Sequence, residues 1–139
     1  MKKIIVLLLG VFLLTACSNS TGGKEELSTA KVIEAFKEAG LEAEEPKQMT
    51  KDDYGMAPMK AKDAQIVKLP SLCDDCNARV FNYEKEKDLD QMKAYYDELG
   101  KESAMLFSWT IKHKNILVQL NGDLPEDEYN KYKEVLEGF

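Results

Sequence analysis

The chain has 139 residues and a formal net charge of −6, with 25 acidic and 19 basic side chains and a single histidine, His113. The acidic balance disfavours nucleic acid as a partner and provides no electrostatic attraction to an anionic membrane surface. The length suits one domain rather than several, and any catalytic triad or Cys-His pair would have to use His113.

An apolar leader opens the chain. Two lysines precede an apolar run at residues 4–14, which has 11 residues, whereas a transmembrane helix needs about 20. This pattern predicts a secretory signal. Two alternatives are an ordinary secreted protein cleaved after Ala16 and a permanent transmembrane helix, although the polar residues from Ser18 onward disfavour the second.

The leader ends at Leu14-Thr15-Ala16-Cys17. These small residues before a cysteine resemble the lipobox of bacterial lipoproteins. The resemblance implies cleavage after Ala16, a diacylglyceryl thioether on Cys17 and a protein held at the extracytoplasmic face of the cell membrane. Each buried CH₂ of an acyl chain contributes about 0.8 kcal/mol, so two chains anchor durably. Loss of the two leader lysines with the signal would change the net charge from −6 to −8.

A polar segment follows the cysteine. Residues 18–23 have almost no apolar surface and include two adjacent glycines, which is typical of a flexible tether. We therefore predict three regions: a signal peptide at residues 1–16, a lipidated cysteine and tether at 17–27, and a single domain at 28–139.

The domain begins with a predicted helix at residues 28–39. Ser28 is suited to its N-cap and Gly40 to the position just past its end. Residues 41–44 then alternate apolar and acidic side chains, which predicts a short strand that ends before Pro46.

Residues 49–59 are irregular and contain three methionines, Met49, Met56 and Met59. Tyr54 is the aromatic residue that periodicity explains least. We expect Tyr54, Met56 and Met59 to contribute to a ligand or partner surface. The methionines could instead fill gaps over the core, or act as soft ligands for Cu(I).

Hydrophobic periodicity predicts the remaining elements. Strands are expected at residues 64–69, 78–83, 105–111 and 116–120, and helices at residues 88–99 and from Pro125 onward. Gly100 would lie just past the second helix. In the third of these strands, the alternating Met105, Phe107, Trp109 and Ile111 are expected to face the helices.

The order of elements is α-β-β-β-α-β-β-α, with hairpins in place of repeated β-α-β crossovers. This order predicts an α+β fold, a two-layer domain in which helices pack on one face of a mainly antiparallel sheet.

The motif with chemical content is Cys73-Asp74-Asp75-Cys76. One interpretation is a disulfide staple, or two incidental thiols, because an extracytoplasmic location permits disulfides. So short a loop would add less than the typical 2–4 kcal/mol. A second interpretation is a redox-active dithiol, although such a pair usually opens a helix, and the two aspartates oppose thiolate formation. A third is half of a metal site, completed by methionine or His113.

Two short sequences extend the resemblance to the mature chain: FSWT at residues 107–110 and NGDLP at 121–125. They resemble small uncharacterised lipoproteins of Bacillus-like bacteria, some of which are labelled stress proteins. The resemblance would span most of residues 28–139 and implies a Gram-positive source, which the preference for lysine over arginine also favours. It brings no catalytic motif to transfer.

No phosphate-binding glycine loop, HExxH motif or nucleophile elbow occurs in the sequence. His113 lies between two lysines in a predicted turn, as a solvated residue would. We therefore expect a non-enzymatic binding module of the cell envelope, without a cofactor, whose partner is an envelope protein or a small ligand. The alternatives are a thiol–disulfide oxidoreductase that uses Cys73 and Cys76, and a metal-binding lipoprotein.

Overall fold

A computed structural model describes residues 25–139; the predicted signal peptide, Cys17 and most of the tether lie outside the described residues. The helices are α1 (Thr29–Glu38), α2 (Lys51–Tyr54), α3 (Glu86–Glu102) and α4 (Glu126–Glu137). The strands are β1 (Glu44–Gln48), β2 (Asp63–Lys68), β3 (Asn77–Asn82), β4 (Ser108–His113) and β5 (Ile116–Asn121). A 3₁₀ turn, Ala104–Leu106, connects α3 to β4.

The strands form one antiparallel sheet in the order β1-β2-β3-β5-β4. The predicted α+β class, the antiparallel sheet and the order of the main elements are confirmed. The sequence missed α2, which a capping box between Thr50 and Asp53 begins.

Helices cover both faces of this sheet, so the prediction of a two-layer domain with helices on one face is wrong. Helices α1 and α4 share a buried cluster with Val67, Val80, Ile111 and Val118. Helix α3 shares a second cluster with Ile66, Phe81 and Leu117, the neighbours of those residues along the strands. Since successive side chains of a strand point to opposite faces, the inner strands are apolar on both sides and need two helical layers.

Local signals define α1 as predicted. The Ser28 hydroxyl oxygen accepts a hydrogen bond from the Lys31 backbone N–H at 3.1 Å, so Ser28 is the N-cap. At the other end Gly40 has a φ of +78°, and the Leu41 N–H donates to the Phe36 carbonyl at 2.9 Å. This arrangement is the Schellman motif that a glycine past the last turn favours.

Strand β1 differs from its prediction. It spans Glu44–Gln48 rather than residues 41–44, and it contains Pro46. β1 is an edge strand, where a residue without an N–H can be accommodated, and its register with β2 shifts between Glu44 and Lys47. Glu45 takes up this irregularity with a φ of +46°.

Helix α3 is longer than predicted and contains Gly100 instead of ending before it. A Cβ at Gly100 would lie 3.1 Å from Cδ2 of Phe107, so the glycine allows Phe107 to approach the helix. Met105 precedes β4 in the 3₁₀ turn, and Phe107 lies between the two. The expected alternation therefore holds only for Trp109 and Ile111, which pack on the α1–α4 cluster.

The Asn115 side chain connects the start of the domain to the sheet. Its Oδ1 accepts from the Leu27 N–H at 2.9 Å, and its Nδ2 donates to the Leu27 carbonyl at 2.7 Å and to Asn82 Oδ1 at 2.9 Å. The Asn115 carbonyl accepts from the Tyr83 N–H at 2.9 Å. We call this set of bonds the Asn115 clamp and the end of the sheet where it lies the clamp end. The opposite end, where residues 69–76 connect β2 to β3, is the hairpin end.

Removing the clamp should destabilise the domain. Asn115→Ala leaves the Leu27 N–H, the Leu27 carbonyl and the side-chain Oδ1 of Asn82 without their partner, at about 1–3 kcal/mol for each group that water cannot reach. We expect chemical denaturation to show a loss of about 2–4 kcal/mol. The control is Asn77→Ala, since the Asn77 amide donates only to the Asp75 carbonyl at the surface. Equal losses in the two variants would contradict the clamp.

Candidate functional site

The hairpin at residues 69–76 contains the predicted cysteine pair, which the structure joins in a disulfide. The backbone also closes the loop: the Leu69 N–H donates to the Cys76 carbonyl at 2.9 Å, and the Cys76 N–H to the Cys73 carbonyl at 3.2 Å. The two sulfur-bearing residues differ in burial, because Cys73 is exposed while Cys76 is 1% exposed and belongs to the α1–α4 cluster. The disulfide therefore attaches an exposed loop to the core.

A concave surface of about 510 Å³ lies beside this hairpin. We call it the hairpin hollow; its charged lining includes Lys47, Asp52, Lys68, Asp74, Asp75 and Arg79. It lies over β1, β2 and the start of β3, because α3 packs mainly over β4 and β5. Charges of both signs thus meet in one open depression.

Arg79 is the chain's only arginine and is half-buried in the hollow. Its Nη1 donates to Gln119 Oε1 at 2.9 Å, which fixes the guanidinium against the sheet. Its Nε is buried and has no partner among the described residues. The guanidinium therefore contributes a fixed positive charge to the hollow.

The opposite charge in the hollow comes from carboxylates. The Thr50 backbone N–H donates to Asp53 at 2.8 Å and lowers the pKa of that carboxyl, with smaller effects from the Thr50 hydroxyl, Lys47 and Arg79. Asp53 therefore stays ionised. With the positive charge of Arg79, the hollow is suited to a ligand that has both an anionic and a cationic group.

A second exposed feature lies at the same hairpin end. Met105, Leu106 and Phe107 are consecutive apolar residues whose exposed fractions are 95%, 51% and 41%. We call these three residues the apolar turn. Its backbone begins at a cap, because the Ser103 hydroxyl oxygen accepts from the Met105 N–H at 3.3 Å.

Glycine and aromatic contacts hold the apolar turn in place. A Cβ at Gly122 would overlap the Phe107 carbonyl oxygen and lie 2.9 Å from its carbonyl carbon, so only glycine allows this approach. The Phe107 ring meets the Trp109 ring edge-on at 5.0 Å, and Trp109 stacks on Tyr129 at 4.4 Å. Trp109 Nε1 also donates to the Leu124 carbonyl at 2.9 Å. The turn thus has a fixed backbone and exposed side chains.

The residues predicted to form a surface divide into two groups. Tyr54 is 8% exposed, and its ring centroid lies 5.9 Å from that of Phe81 in the α3 cluster. The prediction that Tyr54 contributes to a surface is therefore wrong. Burial also raises the pKa of its hydroxyl. Met56 and Met59 are exposed, at 93% and 56%, in the loop after α2. Neither methionine is close in sequence to Cys73 or Cys76, and neither lines the hairpin hollow, which Cys76 does.

The apolar turn lies in a segment that hydrophobic periodicity predicted to be part of a strand, so the pattern did not reveal it. Three apolar residues in succession do not fit the alternation of a half-buried strand, and that was the available signal. The role of Arg79 was not predicted either. The available signal was that it is the single arginine in a lysine-rich chain, and arginine differs from lysine in having several N–H donors in a fixed planar arrangement.

The predicted metal ligands are not brought together. Within residues 25–139, no group of three or more His, Cys, Asp and Glu side chains is placed to hold a metal ion. His113 ends β4 at the clamp end, whereas the cysteines lie at the hairpin end. In the same part of the chain, no helix is both long and apolar enough to span a bilayer.

Comparison of the chain with models of protein families, with curated proteins and with solved structures finds no match. A functional assignment therefore depends on the geometry of the described residues.

The fit of Gly122 against Phe107 can be tested by substitution. Gly122→Ala forces the apolar turn or the end of β5 to shift, and overpacking of this kind costs about 1–3 kcal/mol. We expect chemical denaturation to show that loss, together with altered fluorescence of Trp109, the only tryptophan. Gly138→Ala is the control, because its Cβ would make ordinary contacts at 3.4 Å. A Gly122→Ala variant as stable as Gly138→Ala would contradict the assigned contact.

Proposed function

We propose that the protein is a lipid-anchored binding module at the extracytoplasmic face of the cell membrane. Cys17 would bear the lipid within a tether region at residues 17–27, and the domain at residues 28–139 would bind an envelope protein or small ligand without catalysis. The lipobox-like sequence and the polar residues after it support the anchor.

The observation that best supports this function is the separation of the domain's two ends. The Asn115 clamp holds Leu27, where the chain from the anchor would arrive, at one end of the sheet. The hairpin hollow and the apolar turn lie at the other end. A tether attached at the clamp end would leave both surfaces facing away from the membrane.

Binding accounts for these surfaces better than turnover does. His113 lies at the clamp end and cannot reach a ligand at the hairpin end. Cys73 and Cys76 are joined to each other, so neither is a free nucleophile in this state. The hollow instead offers fixed charges, and the apolar turn offers fixed apolar side chains, which are features of recognition surfaces.

The anchor can be tested by substitution of its nucleophile. Cys17→Ser should remove incorporation of labelled palmitate and shift the protein from the membrane fraction to the soluble or secreted fraction. The control is the double variant Cys73→Ser/Cys76→Ser, which keeps Cys17 and should remain labelled and in the membrane fraction. Palmitate labelling that persists in Cys17→Ser would contradict the proposed anchor.

A second candidate function is thiol–disulfide exchange, which the unequal burial of the two cysteines favours. Only Cys73 is accessible, so an incoming thiolate would attack its sulfur, form a mixed disulfide there and release Cys76 as a thiolate. In an exchange-active pair, one accessible sulfur forms the mixed disulfide and the other leaves as a thiolate, and the unequal burial of Cys73 and Cys76 fits these two roles.

Glutathione can serve as the probe for this exchange. After incubation with reduced glutathione, acid quenching and alkylation, mass spectrometry should find glutathione on Cys73 at least tenfold more often than on Cys76. The physical reason is access, because attack needs a sulfur that the thiolate can approach along the disulfide axis. An equal distribution, or attachment mainly at Cys76, would contradict the assignment of Cys73 as the attacked sulfur.

A further inference from the structure

We infer that the apolar turn docks into an apolar groove with a basic rim on a partner protein of the cell envelope. This inference rests on the proposed binding function and names the surface and the chemistry of the partner. Met105, Leu106 and Phe107 are the side chains that would enter the groove.

The apolar turn is already organised for such docking. Ser103 caps its start, and Gly100 and Gly122 both lie close against Phe107, so the backbone has little freedom to lose on binding. Met105 is nevertheless almost fully exposed. Single exposed apolar residues are ordinary, but three in succession on a fixed turn form a patch of the kind that interfaces use.

The charges around the apolar turn indicate the chemistry of the partner's rim. Glu102 directly precedes the cap Ser103, Asp123 directly follows Gly122, and Glu126 begins the helix whose Tyr129 stacks on Trp109. None of these three carboxylates forms an ion pair within the described part of the chain. These three carboxylates, which we call the acidic surround, adjoin in sequence the turn or the residues that contact it, and the nearest lysine in sequence, Lys101, is paired with Glu98. Their charge is complementary to a groove lined by Lys or Arg.

The same acidic surround disfavours two other occupants. An anionic bilayer would repel it, and the apolar turn lies at the end opposite to the Asn115 clamp. A second copy docking turn to turn would bring like carboxylates together. A basic-rimmed protein groove satisfies both the apolar and the charged groups.

Photocross-linking in intact cells tests this surface with two closely matched positions. The photoreactive residue benzoylphenylalanine replaces Met105 in one full-length protein and Met56 in another, since the two methionines are 95% and 93% exposed. A third protein has the same residue in place of Asn77, which lines the hairpin hollow. Adducts are identified by mass spectrometry, and the partner found is purified for binding measurements.

We expect the Met105 position to yield one protein adduct at least tenfold more strongly than the Met56 position. With the purified partner, Leu106→Asp should raise the Kd at least tenfold, because it places a charge in the groove. Asp123→Lys should also raise the Kd and reduce its dependence on salt. Circular dichroism would confirm that both variants remain folded, as expected at exposed positions.

Other results would overturn the inference. Equal adducts from Met105 and Met56, adducts with lipid or with a second copy of this chain, or a Kd that Leu106→Asp leaves unchanged would each exclude the proposed docking. A protein adduct from Asn77 alone would exclude the apolar turn but support the binding function through the hairpin hollow. If none of the three positions yields a protein adduct, the result would count against both the docking of the apolar turn and the proposed binding function.

Discussion

The amide of Asn115 is the contact on which the arrangement of this domain depends. Its side chain forms hydrogen bonds with the N–H and carbonyl of Leu27 and with the side chain of Asn82. These bonds satisfy the Leu27 backbone, as a neighbouring strand would, at the point where the chain enters the fold. That position starts α1 at the clamp end and directs it across the sheet toward the hairpin end. The polar groups it joins are largely buried, so each depends on the others for a partner.

The second constraint is that the inner strands are apolar on both faces. Helices α1 and α4 cover one face, and the single long helix α3 covers part of the other. One helix cannot span five strands, so the side of β1 and β2 away from α1 stays partly open and becomes the hairpin hollow. Arg79 lines this open region, where a hydrogen bond to Gln119 holds its guanidinium.

The two exposed features of the hairpin end are held by different means. The disulfide attaches the loop at Cys73 to the buried Cys76. The apolar turn is held by packing, with Phe107 fitted against Gly100 and Gly122 and its ring against Trp109. Both features combine a fixed backbone with exposed side chains, which limits the entropy lost when a partner binds.

Patterns local in sequence determined the boundaries of α1, the β2–β3 hairpin and the α+β class, because caps, turns and periodicity act over a few residues. The lipobox-like motif is also a property of the sequence alone. Only tertiary structure decided that Pro46 lies in an edge strand, that Gly100 lies within α3 and that Tyr54 is buried while the apolar turn is exposed. Each of these outcomes depends on a contact between segments that are distant in sequence, and hydrophobic periodicity does not reveal which segments meet.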